Sequence, residues 1–337
     1  MNRTGKTGKT GRAVAVIAAV ASAGAGRAVA QQPPADTVPP ASVVESPYTF
    51  RSGAITLEGT LARPRAGGRV PVALIVAGSG PTDRNGNAGG LRTNAYAQLA
   101  WRLAERGVAS LRYDKRVLPS ARGGFDPSAL TFDDLAADLT AGARSLQGDP
   151  RFAEVVVIGH SEGGALAIRA VKNGLEVSGL ALISTAGRTM TAILHEQLGR
   201  QVDPATLARF DSAMTRYLAG EDPGEVPAPL MPLFLPVNRR YTQTVAEFDP
   251  VAELGVTTLP VLILQGAADL QVTVADAQAL QRARSDALLT ILPAANHVLK
   301  AVTDTTIAAQ LPAYQDPTIP IVPRLIDELV SWISVLR

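Results

Sequence analysis

Short, nearly unbroken apolar runs punctuate this chain. They are Val72-Ala73-Leu74-Ile75-Val76, Val155-Val156-Val157-Ile158, Leu180-Ala181-Leu182-Ile183, Val261-Leu262-Ile263-Leu264 and Leu288-Leu289-Thr290-Ile291-Leu292. Continuous apolar runs bounded by Gly and polar residues mark strands buried on both faces, unlike the alternating pattern of a half-exposed strand. They predict parallel strands at Val72–Ala77, Ala109–Tyr113, Val155–Gly159, Leu180–Ser184, Val261–Gln265 and Ala287–Leu292. Amphipathic stretches alternate with them and predict helices at Ala95–Arg106, Phe132–Leu146, Gly164–Lys172, Val274–Arg284 and Val322–Leu336. Before them, Tyr48–Arg51 and Ile55–Leu61 flank the turn signal Ser52-Gly53 and predict an antiparallel entry. The expected architecture is α/β, a mostly parallel central sheet with helices on both faces.

One stretch breaks the rhythm. From residue 186 to residue 257 the pattern turns to amphipathic helix (Met190–Gly199, Ala205–Leu218) separated by the Pro-rich run Pro223 to Pro236. An insertion between two parallel strands hangs over the carboxyl edge of the sheet, so this segment is expected to be a helical lid. Met231, Phe234 and Tyr241 are its candidate pocket walls, each against the plainer alternative of packing within the insertion itself.

The start of the chain changes how the charge is read. Residues 1–30 carry Arg3, Lys6, Lys9, Arg12 and Arg27, no acid, and the apolar stretch Ala13 to Ala23 before Ala28-Val29-Ala30. That is a secretory-signal pattern, too short to span a bilayer, and it leads to an expectation of periplasmic or secreted location. Residues 31–45, with Pro33, Pro34, Pro39 and Pro40, are expected to be a linker to a single domain at 46–337. Of the 32 Lys and Arg, five lie in residues 1–30, so the remainder carries 27 against 30 Asp and Glu, a net charge of −3. No basic surface for nucleic acid or an anionic membrane is expected, and no stable membrane anchor after cleavage. The absence of cysteine excludes disulfides and a lipid-modified cysteine anchor.

The chemistry concentrates at Gly159-His160-Ser161-Glu162-Gly163. Glycines two before and two after the serine permit a tight strand-to-helix turn, which lifts the Ser161 hydroxyl to the sheet edge. The same turn leaves the Glu162 N–H free at a helix N-terminus, where it can stabilise negative charge. A serine nucleophile needs a base, and the chain has three histidines. His160 adjoins Ser161 across the turn, and His195 falls inside the insertion. His297 follows the last apolar strand and can reach the carboxyl edge, which makes it the candidate base. In the chain order Ser, Asp, His the acid lies between them. Asp269 follows Val261–Gly266 at that edge. Its competitor, Asp276, sits in an expected first helical turn, where an aspartate ordinarily offsets the helix dipole at the surface.

With these motifs in place the chain resembles the α/β-hydrolase superfamily, and within it bacterial serine esterases with the oxyanion loop Gly78-Ser79-Gly80-Pro81-Thr82-Asp83. A second matching segment is Leu111-Arg112-Tyr113-Asp114-Lys115-Arg116. One departure is Val117, where the family usually has glycine. The similarity runs from about residue 45 to residue 337. It implies an oxyanion hole built from the backbone N–H groups of Ser79 and Glu162, and hydrolysis of small carboxylic esters. Low aromatic content and a weakly apolar insertion lead to an expectation of short to medium acyl groups, and histidines without ligand spacing to one of no metal or organic cofactor. A local ion pair bracing the loop is the expected role of Asp114, Lys115 and Arg116. The alternatives are a peptidase or amidase with the same triad, and a non-catalytic binding module on the same fold.

Overall fold

The computed structural model describes residues 38–336; the expected signal segment and residues 31–37 of the expected linker lie outside them. Among the described residues ten strands and ten α-helices follow one another in the order β1 (Val43–Ser52), β2 (Ile55–Pro64), β3 (Val70–Val76), β4 (Asn87–Ala88), β5 (Leu91–Arg92), α1 (Ala95–Glu105), β6 (Ala109–Tyr113), α2 (Phe132–Gln147), β7 (Phe152–His160) and α3 (Glu162–Lys172). The chain continues through β8 (Gly179–Ile183), α4 (Met190–Gly199), α5 (Pro204–Leu218), α6 (Arg239–Ala246), α7 (Pro250–Gly255), β9 (Val261–Gly266), α8 (Val274–Ala283), β10 (Leu288–Leu292), α9 (Ile307–Gln315) and α10 (Pro323–Val335). Eight strands form one sheet in the order β1-β2-β6-β3-β7-β8-β9-β10, while β4 and β5 form a small hairpin. From β6 to β10 every neighbour is parallel, and β1 and β2 enter antiparallel.

Alternation within the apolar runs divides the core in two. Val72, Leu74 and Val76 of β3 join the side packed by α2, α3 and α8, whereas Ala73, Ile75 and Ala77 join the side packed by α1 and α10. β7 repeats this, with Val155 and Val157 on the first face and Val156 and Ile158 on the second. Both faces of the sheet are therefore buried, which is what unbroken rather than alternating runs require.

Several element limits differ from the sequence reading, and two differences bear on how the site is held. β1 begins at Val43, five residues before Tyr48, because Val43 is buried and the Glu45 carboxylate accepts from Trp101 Nε1 and Arg112 Nη2, each at 2.6 Å. The segment between β8 and β9 is not all of one kind. Leu198, Phe210, Ala213, Met214, Tyr217, Leu230 and Phe234 form a separate apolar cluster within it, but Phe248 and Leu254 belong to the main core. Among the described residues no helix is long and apolar enough to cross a membrane.

Candidate active site

Ser161 stands between the carboxyl end of β7 and the start of α3, half-buried, with φ 55° and ψ −121°. A non-glycine residue rarely takes positive φ, and such conformations persist only where the surroundings over-determine them. Here the surroundings are close. A Cβ on Gly159 would sit 2.5 Å from Gly163 O, and one on Gly163 would collide with the Val76 carbonyl oxygen. The Ser161 N–H is tied to Ile183 O at 2.9 Å, and Gly164 N–H donates to Ser161 O at 3.0 Å. Glycines at these positions let α3 press onto the ends of β3 and β7.

Asp269 and His297 arrive from the ends of β9 and β10, and His297 Nδ1 lies 2.8 Å from Asp269 Oδ2. The other carboxylate oxygen accepts the N–H groups of Gln271 at 2.8 Å and Val272 at 3.0 Å. Burial alone would raise the Asp269 carboxyl, but the adjacent His297 ring and these hydrogen bonds outweigh it and hold it below the usual aspartate range. Gly266 abuts the Ala295 backbone, which draws the two strand ends together. Asp276, the competing acid, is elsewhere. It caps α8 through Thr273 and binds Arg188 Nε at 2.7 Å and Nη2 at 2.8 Å. It is 1 % exposed and anchors the root of the insertion, a buried role in place of the surface one expected for it.

His160 joins these pieces. Its Nε2 lies 2.8 Å from the His297 carbonyl oxygen, its Nδ1 lies 2.7 Å from Tyr96 Oη, and the Gly78 N–H donates to the same Tyr96 oxygen at 3.0 Å. Burial, and then the neighbouring His297, push its ring down to about 3, so it is neutral near pH 7. A carbonyl can only accept, which puts the single ring proton on Nε2. Nδ1 therefore accepts from the Tyr96 hydroxyl. A directed chain results: Gly78 N–H to Tyr96 O–H to His160, and His160 Nε2–H to His297 O.

The loop after β3 lies against the nucleophile. A Cβ on Gly78 would be 3.3 Å from Ser161 Cβ and 3.3 Å from His160 Nδ1. Among the described residues the N–H groups of Ser79 and Glu162 meet no acceptor. Residues of the Arg112–Lys115 segment hold this loop one by one. Arg112 Nε donates to Asn85 Oδ1 at 3.0 Å, Asp114 accepts from the Arg84 N–H at 2.8 Å and from Arg84 Nη2 at 2.6 Å, and Lys115 Nζ donates to Gly78 O. Arg116 pairs instead with buried Asp138 of α2. Val117 is not among the positive-φ residues, so its turn needs no glycine.

The three insertion residues part company. Met231 is 48 % exposed. Phe234 is buried edge-on between Phe210 and Tyr217, with ring centroids 5.9 and 5.4 Å away. Tyr241 reaches the site, where its hydroxyl donates to Glu162 Oε1 at 2.6 Å. His195 pairs with Asp211 at the exposed surface of the insertion. The sequence reading gave no role to Tyr96 and set His160 aside once it was eliminated as base. A cavity of about 330 Å³ between Val171–Val177 and Val256–Leu259 opens at the amino ends of β8 and β9, away from Ser161. Among the described residues no group of three or more His, Asp or Glu gathers as for a metal.

Comparison with known proteins gives a consistent picture. A family model described as the Alpha/beta hydrolase family matches residues 73–304. Esterase EstD of Thermotoga maritima is 24 % identical over 303 residues, which cover 88 % of this chain and 69 % of that protein. The structure of Est1E from Butyrivibrio proteoclasticus with bound ferulic acid superposes with a TM-score of 0.55 at 17 % identity, covering 86 % of this chain and 98 % of that one. Proline iminopeptidase of Mycobacterium smegmatis superposes with a TM-score of 0.57 at 15 % identity, covering 86 % and 98 %. At such identities the structural likeness speaks for the fold.

Proposed function

From the premise that this chain belongs to the alpha/beta hydrolase family, we propose that it hydrolyses carboxylic esters with Ser161 as nucleophile, His297 as base and Asp269 as the group that orients the base. The observation that carries this reading is the 2.8 Å contact between His297 Nδ1 and a carboxylate whose side chain is 0 % exposed. A buried aspartate on Nδ1 holds the proton there and leaves Nε2 free to accept one, which is the tautomer a general base needs.

In the proposed cycle Ser161 Oγ attacks the acyl carbonyl while its proton passes to His297 Nε2. The Ser79 and Glu162 N–H groups hold the resulting oxyanion. Collapse breaks the C–O bond to the alcohol, which leaves with the proton from His297. Water then attacks the acyl-enzyme, giving a proton to the same nitrogen, and the carboxylic acid and free Ser161 are released. These steps need no metal or organic cofactor. The insertion acts as a lid over short to medium acyl groups, and the setting is periplasmic or secreted.

The name of its curated relative favours an ester over an amide substrate. Short p-nitrophenyl esters and an aminoacyl-anilide, offered to wild type and Ser161→Ala, test the reading together with fluorophosphonate labelling of Ser161. Wild type should turn over the esters faster and label, and the variant should do neither. Ester hydrolysis that survives Ser161→Ala would refute the nucleophile, and preferential anilide turnover would reassign the enzyme to amides.

A further inference from the structure

The peptide group that joins Gly78 to Ser79 carries both a carbonyl bound by Lys115 and the N–H assigned to the oxyanion. No cis peptide occurs among the described residues, so in this planar unit the C=O and N–H point in opposite directions. Holding one end aims the other. Lys115 Nζ donates to Gly78 O and lies 3.4 Å from Gly80 O, so it grips the loop on both sides of Ser79. The Gly78 N–H is held separately by Tyr96. Lys115 itself is 3 % exposed, which leaves its ammonium little freedom to turn to water.

The same ammonium meets Glu162 Oε2 at 2.8 Å, and Tyr241 of α6 donates to the other carboxylate oxygen at 2.6 Å. Glu162 is the residue whose own N–H is the second oxyanion donor. One buried cation therefore connects the loop after β3, the first residue of α3 and a helix of the insertion.

We propose that Lys115 is the positioning residue of the oxyanion hole, aiming the Ser79 N–H by binding the carbonyl of the same peptide, with Tyr241 locking the clamp through Glu162. The inference rests on the Ser161 reading above. A cation on the carbonyl also polarises the peptide, which makes its N–H a stronger donor to a developing oxyanion. The competing explanation is that Lys115 only neutralises Glu162. A variant that removes both charges separates the two.

The test compares wild type, K115M/E162Q and Tyr241→Phe for kcat, KM and inhibition by an alkyl trifluoromethyl ketone, whose adduct with serine presents the oxyanion. Losing an oxyanion donor outright costs about 10²- to 10³-fold in kcat. A misaimed donor in K115M/E162Q should cost about 10- to 100-fold, with KM within about threefold and ketone affinity reduced by a factor matching kcat/KM. Tyr241→Phe should show the same split at about 3- to 10-fold. A wild-type kcat in K115M/E162Q, or a kcat loss with unchanged ketone affinity, overturns the proposal. Should that variant not fold, a wild-type kcat in Tyr241→Phe overturns it instead. Fluorophosphonate labelling of wild-type Ser161 comes first: its absence refutes the nucleophile, whereas labelling followed by these null results refutes the clamp alone.

Discussion

The imidazole of His160 donates from Nε2 to the carbonyl oxygen of His297 at 2.8 Å, with the two ring centroids 4.9 Å apart. The residue before the candidate nucleophile thus holds the backbone of the candidate base. Since Tyr96 extends the chain to Gly78, three segments far apart in sequence share one neutral, buried histidine.

That neutrality has a pH signature. Folded His160 is pushed down to about 3 from an ordinary value of 6.5. Between these values the unfolded chain binds the proton and the folded chain does not. The stability at this site is therefore complete above about pH 6.5 and drains away as pH falls toward 3, by up to ~1.4 kcal/mol per unit. Urea unfolding at pH 7 and pH 5 should show wild type losing about 2 kcal/mol more than His160→Asn across that interval. Parallel losses in the two proteins would show that the histidine takes up its proton alike in the folded and unfolded states.

Much of this arrangement was legible from the chain, and the reasons are local. Strands β3, β6, β8 and β9 lie within two residues of their expected limits, because apolar runs buried on both faces are bounded by abrupt polar changes, whereas β7 begins three residues early at Phe152. Helix α4 matches from Met190 to Gly199, and α5 begins one residue early because Asp203 caps it and Pro204 suits the first helical position. Asp269 and His297 could be paired because strand ends deliver loops to one edge. Helix α9 escaped notice, since Pro312 lies within it and it lacks a clear apolar stripe. The partners of Tyr96, Lys115 and Tyr241 escaped too. Tyr96 and His160 are 64 residues apart, and no periodicity within an element reports which side chains from separate elements will meet.

Asp269 and Asp276 offer a direct contrast, because both are buried aspartates after the same strand. Asparagine at 269 would present an amide hydrogen to His297 Nδ1, favour the other tautomer and leave Nε2 protonated, unable to take the proton of the proposed nucleophile. A kcat loss on the order of 10⁴ is expected, with the thermal midpoint little changed. Asparagine at 276 would turn a donor toward Arg188 and the Gly187 N–H, weakening the root of the insertion. A stability loss of about 3 kcal/mol with kcat within a few-fold is expected. Steady-state kinetics beside denaturant titration decide it, and exchange of the two phenotypes would reassign the acid.

Gly163 and Gly148 should differ as sharply when changed to alanine. The Gly163 Cβ would run into the Val76 carbonyl oxygen and the Ala77 backbone, neither of which can move without opening the contact between α3 and β3. Gly148 ends α2 at φ −77°, and its nearest neighbour, Arg144 O, would be 3.7 Å from a new Cβ. Gly148→Ala should leave stability the same or raise it by up to about 1 kcal/mol, through reduced freedom of the unfolded chain. Gly163→Ala should be recovered poorly folded, or with its thermal midpoint lowered by more than about 10 °C, consistent with a cost above ~3 kcal/mol. Circular dichroism melts of the two purified proteins make the comparison.

Phe234 and Met231 were both candidate pocket walls, and their surroundings predict opposite behaviour. Phe234 fills the space between Phe210 and Tyr217 in a cluster that belongs to the insertion, so its removal leaves a cavity that helix α5 cannot readily close. Phe234→Ala should cost about 3–5 kcal/mol, felt first as faster amide exchange in α4 and α5 while the sheet stays protected. Met231 has nearly half its surface in solvent, and Met231→Ala should lie within about 0.5 kcal/mol of wild type. Hydrogen-exchange mass spectrometry resolves the two segments, and a p-nitrophenyl ester series of increasing acyl length supplies the second reading. Should Phe234→Ala leave exchange unchanged and shift the preferred acyl length, the ring would be contacting substrate and the packing role would be wrong. Should Met231→Ala shift that preference, its exposed side chain would be turning inward when an acyl group is bound.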